Sequence, residues 1–173
     1  MDIRFGCIGC GNMGGAILKG LARRMDLRFQ LLGRNLNKIH ELAKEMENTD
    51  VEVELNARDL VEHSDYIMLG VKPHQVQAIL EEQAARLKPS QVLISIAAGI
   101  TLEQLKAWSS GSCPVVRVMP NTPAMVQAGL FAVCLEDPAL NQEQKGFVQG
   151  LFADIGQVHL LPERLIDAFT AVA

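Results

Sequence analysis

Ile3 to Ile8 read as a short buried strand, and Gly9, Gly11 and Gly14 follow at the spacing G-x-G-x-x-G. No other feature constrains this chain as strongly. The first glycine permits a tight turn, the second lets backbone approach a pyrophosphate, and the third lets a helix pack close to the strand. The start of that helix offers unpaired N–H groups. Three spaced glycines alone are weak evidence, because such a turn also forms where nothing binds. Here Ile17, Leu18, Leu21, Ala22 and Met25 continue at helical spacing, so strand, turn and helix come in the order a dinucleotide-binding unit requires.

A length of 173 residues supports one domain with a sizeable core, or one domain and the start of another. The net charge of −4 has interspersed signs and no basic stripe, which argues against nucleic acid and for a small molecule recognised locally. The longest apolar run, 92–100, is interrupted by Ser95 and is too short to span a bilayer. Met1-Asp2-Ile3-Arg4 lacks the profile of a signal peptide. A soluble cytoplasmic protein with no membrane contact is expected. Cys7 and Cys10 form a C-x-x-C between strand and helix, where a redox pair would sit. Simpler roles come first: Cys7 falls within the strand, and Cys10 is a small residue beside the cofactor. Cys113 and Cys134 stand alone, without the second pair a zinc site needs.

Alternation continues along the chain. Strands are expected at 27–32, 51–55, 66–71, 92–96 and 115–119, and helices at 37–46, 57–62 and 102–108. Val76, Ile79, Leu80, Ala84 and Leu87 line one more helix. Then come a strand at 130–135, a helix at 142–152 and a short strand at 158–161. This regularity predicts an α/β fold with a doubly wound, mostly parallel sheet. Leu165, Ile166, Ala168, Phe169, Ala171, Val172 and Ala173 make an apolar helical start with no polar tail. It is expected to be covered by a partner subunit or to open a further helical domain.

In such a sheet ligands bind beyond the carboxyl ends of the strands, and four of those ends are unusual. The first carries the glycines with Asn12 and Met13. Another ends in Lys72-Pro73, where the proline holds the lysine extended along the rim, although for a lone lysine a solvated strand end is the plainer reading. Ala97-Ala98-Gly99 suits either a flat ring lying on backbone or close helix packing. Asn121 and Thr122, stiffened by Pro120 and Pro123, offer hydrogen bonds on the substrate side or a plain rigid turn. An NAD-binding unit usually carries an acid about 20 residues after the turn. Gly33, Arg34 and Asn35 stand at the end of the second strand instead, and an arginine without an acid favours a 2′-phosphate, hence NADPH over NADH. His40, His63 and His159 fall away from the rim, and only His74 lies near it. There is no hydrolase elbow, histidine pair for a metal, or carboxylate dyad to assign catalytic residues.

Gly9-Cys10-Gly11-Asn12-Met13-Gly14, Val71-Lys72-Pro73, Ser95 to Thr101, and Met119-Pro120-Asn121-Thr122-Pro123-Ala124 together resemble pyrroline-5-carboxylate reductase. The resemblance runs over essentially the whole chain. It implies a Rossmann-like cofactor domain over 1–161, with 162–173 opening a C-terminal helical dimerisation domain. The implied activity is NAD(P)H-dependent reduction of 1-pyrroline-5-carboxylate to L-proline, the last step of proline biosynthesis, by a homodimer or higher homo-oligomer. By the same resemblance Ile8 to Met13 hold the pyrophosphate, Arg34 and Asn35 the adenosine phosphate, and Asn56 the adenosine side, while Val71, Lys72, Pro73, Ile96, Ala97 and Ala98 line the nicotinamide. The family's Ser-Gly-Ser-Gly-Pro and Ser-Pro-Gly-Gly-x-Thr segments are not in this sequence. The chain by itself is therefore expected to bind cofactor with little or no reductase activity. A related NADP-dependent oxidoreductase of another small substrate, or a non-catalytic nucleotide-binding module, are the competing readings.

Overall fold

A computed structural model describes residues 2–46, 50–121 and 129–172. The chain alternates β1 (Ile3–Ile8), α1 (Asn12–Leu21), β2 (Leu27–Leu32), α2 (Leu36–Glu45), β3 (Val51–Val53), α3 (Ala57–Glu62), β4 (Tyr66–Leu69), α4 (Pro73–Gln83), β5 (Val92–Ser95), α5 (Leu102–Trp108) and β6 (Val115–Pro120). It continues through β7 (Gly129–Cys134), α6 (Gln142–Ala153), β8 (Gly156–Leu160) and α7 (Glu163–Val172). The strands form one sheet in the order β3-β2-β1-β4-β5-β6-β7-β8.

All neighbours pair in parallel except β6 with β7. Only residues 121–128 separate those two strands, too few for the crossover that parallel pairing requires, so the chain reverses. The expected doubly wound, mostly parallel α/β sheet is thus present, and β7 and β8 run against the other six strands.

Alternating side chains of each inner strand face opposite layers. From β4, Tyr66 and Met68 join a cluster with Ile17, Leu18 and Leu21 of α1, Ile39 and Leu42 of α2, and Val148, Leu151 and Phe152 of α6. Ile67 and Leu69 point the other way, to Leu60 and Val61 of α3, Val76 and Leu80 of α4, and Leu105 of α5. This double burial explains why β4 and β5 read as unbroken apolar runs. Each such side chain, fully buried, contributes roughly 1.5–3 kcal/mol.

One expectation about packing is corrected. Helix α1 caps at Ala22, so Met25 leaves the apolar stripe and is 88 % exposed. The last helix is partly covered by the chain itself. Ile166 is fully buried against Met119, Ala132 and Cys134, with Phe169 packed alongside. Arg117 of β6, only 2 % exposed, reaches Asp167 at 3.0 Å and Glu163 at 3.4 Å. Glu163 also accepts the N–H of Leu102 at 2.6 Å. Leu165 remains exposed. Among the described residues no helix is long and apolar enough to cross a membrane.

Candidate dinucleotide site

The order of strands reverses between β1 and β4, and the loops after these two strands diverge at that point. Such a switch point opens a crevice at the carboxyl edge of the sheet. The turn after β1 is held from both sides. Gly9 donates to the carbonyl of Leu32 at 2.7 Å, and Gly70 donates to that of Ile8 at 2.8 Å.

Gly9 has φ of +86°, and a Cβ placed on it would lie 2.5 Å from Val71 Cγ1 and 2.7 Å from Val71 N. Gly14 leaves room for the carbonyl of Gly9, 3.0 Å from where its Cβ would stand. Gly70 backs onto the same carbonyl. Gly11 differs, because a Cβ there would meet nothing within 4 Å. It is the N-cap of α1, with no side-chain cap and no acid in the first turn, so the leading N–H groups of this helix face outward unpaired.

From this turn a groove of about 1030 Å³ runs across the edge of the sheet. It gathers Ile8, Gly9, Cys10, Gly11, Arg34, Asn35, Asn56, Val71 and Lys72 of the residues expected from sequence. Arg34 and Lys72 are exposed and make no ion pair among the described residues. Two of the polar side chains also build the frame. Asn35 caps α2 by accepting from Lys38 N at 3.2 Å, and Asn56 caps α3 by accepting from Asp59 N at 2.8 Å. Gln75 accepts from the N–H of Lys72 at 3.1 Å, which steadies the start of α4 behind Pro73.

Other expected residues lie on the same edge without lining the groove. Asn12, Met13 and Gly14 form the first turn of α1, and Pro73 opens α4. Ile96, Ala97 and Ala98 follow β5, with Ile96 donating to the carbonyl of Leu69 at 3.4 Å. Asn121 follows β6, and its Oδ1 accepts from Leu130 N at 3.2 Å, so this atom already serves the β6–β7 pairing. Thr122 lies outside the described residues.

The structure adds groove residues that sequence reasoning did not single out for binding. Lys38, in the first turn of α2, adds a third cation to the groove that Arg34 and Lys72 also line. Leu55 is 77 % exposed on the lip beside Asn56, an apolar surface at a rim. Gly70, His74, Gln75, Ala78 and Ile79 complete the far wall. A smaller cleft of about 480 Å³ sits at the opposite edge, near the amino ends of β1 to β3. Its two arginines are already engaged, Arg4 with Asp65 and Arg28 with Asp2, both at 3.0 Å.

A glycine turn at a switch point, an uncapped helix start and a groove lined by exposed cations define a Rossmann-type dinucleotide-binding domain. A family model described as NADP oxidoreductase, coenzyme F420-dependent, matches residues 4–99, and the chain belongs to that family. Over nearly its whole length it is similar to pyrroline-5-carboxylate reductases, as the four motifs led us to expect. That of Pseudomonas aeruginosa is 34 % identical over 174 residues, covering 98 % of this chain and 62 % of the relative. The solved structure from Coxiella burnetii superposes with a TM-score of 0.87 at 27 % identity, covering 96 % of this chain and 62 % of that one. The Plasmodium falciparum enzyme, solved with NADP bound, gives 0.84 at 28 %, covering 99 % and 62 %. The chain spans less than two thirds of the length of these relatives and matches their N-terminal domain.

Proposed function

We propose that this chain is the cofactor-binding part of an NADPH-dependent reductase that converts 1-pyrroline-5-carboxylate to L-proline. The observation that carries the reading is the continuous groove from the open Gly11 position to Arg34 and Lys38, two exposed cations with no ion pair among the described residues. Its two ends are chemically distinct. The uncapped start of α1 suits a pyrophosphate, and the two cations suit a further phosphate on the adenosine ribose. Arg34 can meet phosphate oxygens in a fork, which supports a preference for NADPH over NADH. Leu55 and Asn56 would take the adenosine side. The relatives' names and the NADP in the Plasmodium falciparum structure support the same assignment.

When bound, the cofactor supplies a hydride to the imine carbon. Val71, Lys72 and Pro73, with Ile96 to Ala98 beyond them, form a stiff edge against which a nicotinamide ring would rest. Val71 abuts Gly9, so this edge and the phosphate turn are one rigid unit. Asn121 and Thr122 belong to the substrate side in this reading. Residues 1–161 form the nucleotide domain, and 162–173 open the helical part of a cytoplasmic homo-oligomer, for which the exposed Leu165 supplies an apolar contact.

The test pairs two measurements. NADPH is titrated into this chain, and pyrroline-5-carboxylate reduction is assayed with this chain and with a protein of the relatives' full length. Binding by both and turnover by the longer protein alone are expected. Failure to bind NADPH, or full turnover by the 173 residues, would refute the assignment.

A further inference from the structure

The phosphate turn contains a chemical feature that nucleotide binding does not use. Cys7, the last residue of β1 to face the α1 side of the sheet, is fully buried, while Cys10 lies half-buried inside the turn and packs on the same apolar cluster. Their thiols bracket one short stretch of backbone. Cys10 Sγ lies 3.8 Å from the carbonyl of Cys7 and 3.8 Å from that of Leu32, and Cys7 Sγ lies 3.6 Å from the carbonyl of Gly9. The neighbouring Cys10 thiol and burial push the Cys7 thiol well above the usual thiol range.

We propose that Cys7 and Cys10 form an oxidative modification site, in which a hydroperoxide joins them as a disulfide and closes the groove to NADPH. The closure rests on the reading of the groove as a dinucleotide site. The bond forms without it.

The chemistry assigns the two sulfurs different roles. Cys10 is the accessible one, so its sulfur attacks the peroxide, the O–O bond breaks, and a sulfenic acid and one water result. The Cys7 sulfur then attacks the Cys10 sulfur, the S–OH bond breaks, and a second water leaves. Two thiols are oxidised and one peroxide is reduced, and both thiol protons end in the waters. Burial shields Cys7 from peroxide, and because it attacks as a thiolate that its raised pKa makes scarce, this second step is the slow one and speeds up as pH rises.

Closure follows from packing. A disulfide brings the sulfurs to about 2.05 Å. Cys7 rises little to meet its partner, since it is fully buried within the close-packed cluster under β1. Cys10 must move inward, and with it the Gly9–Gly11 backbone that lines the groove. Linkage then requires the converse, that bound NADPH opposes the oxidation.

The experiment treats the reduced chain with hydrogen peroxide, with and without saturating NADPH, then maps the peptides by mass and titrates NADPH before and after. A Cys7–Cys10 linkage lacking two hydrogens, slowed by NADPH, is expected. It should weaken NADPH binding at least about tenfold, a change of about 1.4 kcal/mol, and dithiothreitol should reverse it. Cys7→Ala, or Cys7→Val where refilling the volume matters, should bind NADPH as the wild type does and lose the reversible response. The proposal is overturned if the linkage never forms, if it forms with NADPH affinity unchanged, or if the Cys7 variants respond to peroxide as the wild type does. The mass readout needs no nucleotide, so a reduced chain that ignores NADPH would count against the proposed function, separately from the fate of the disulfide.

Discussion

Gly9→Ala and Gly11→Ala should fail in opposite ways. At Gly9, φ of +86° imposes left-handed strain on any Cβ, about 1–2 kcal/mol. The added methyl also meets Val71 Cγ1 at 2.5 Å and Val71 N at 2.7 Å. The second is backbone and cannot rotate away, so overpacking adds about 1–3 kcal/mol. Together these give a destabilisation of about 2–5 kcal/mol, a large share of the roughly 5–15 kcal/mol a domain has. Gly11 is extended, with φ −77° and ψ −161°, which alanine adopts freely. Loss of a glycine N-cap there is offset by the about 0.4–1 kcal/mol gained from restricting the unfolded chain, so stability should move by less than about 0.5 kcal/mol. The same methyl would stand in the path of the pyrophosphate and weaken NADPH at least about tenfold. Urea unfolding and NADPH titration of both variants read the two quantities separately. Equal destabilisation by the two variants would refute the reasoning, and so would unchanged NADPH affinity in Gly11→Ala.

Arg34→Asp should weaken NADPH by roughly tenfold, the lower end for hydrogen bonds to a charged group because the site is exposed, while NADH is unaffected or binds better. Equal loss for both nucleotides would show that Arg34 does not read the 2′-phosphate. Arg117→Met should cost less than the double variant Glu163→Gln, Asp167→Asn. The double variant leaves a buried guanidinium uncompensated, at about 3–5 kcal/mol, whereas the carboxylates left by Arg117→Met can turn to water; urea unfolding that ranks them the other way defeats this. The hydrogen bond to Glu54 at 2.9 Å raises the pKa of His63. Its stabilisation is therefore complete below the unfolded value of about 6.5 and disappears as pH rises through the raised one. The unfolding midpoint of His63→Gln should fall less than that of the wild type across this window, and parallel profiles would exclude the pair as a source of the pH dependence.

Local periodicity and turn chemistry made the sheet legible. The helix starts at Asn56 and Thr101 follow from side chains that cap their own neighbours, so α3 and α5 fall where expected. Tyr66 to Leu69 could be read as a central strand because both of its faces are buried. Failures occur where the deciding contact is distant in sequence. Nothing near Met25 says that α1 stops at Leu21. Nothing near Ile166 says that β6 and β7 will cover it, and Arg117 finds its carboxylates 46 and 50 residues away. Lys38 is only four residues from Arg34, and what its sequence does not tell is that the first turn of α2 lines the groove.

The glycine motif shows how legibility divides within a single site. Gly9 and Gly14 answer to packing demands that exist whether or not a ligand is present, since their missing side chains make room for Val71 and for the turn's own carbonyl. A turn with only these two would be the binding-free version that three spaced glycines leave open. Gly11 answers to no contact within the protein, and its missing side chain faces the groove. It is the member of the motif whose identity the fold does not require, so the argument for a nucleotide at this edge rests more on that open position than on the spacing that first drew attention to it.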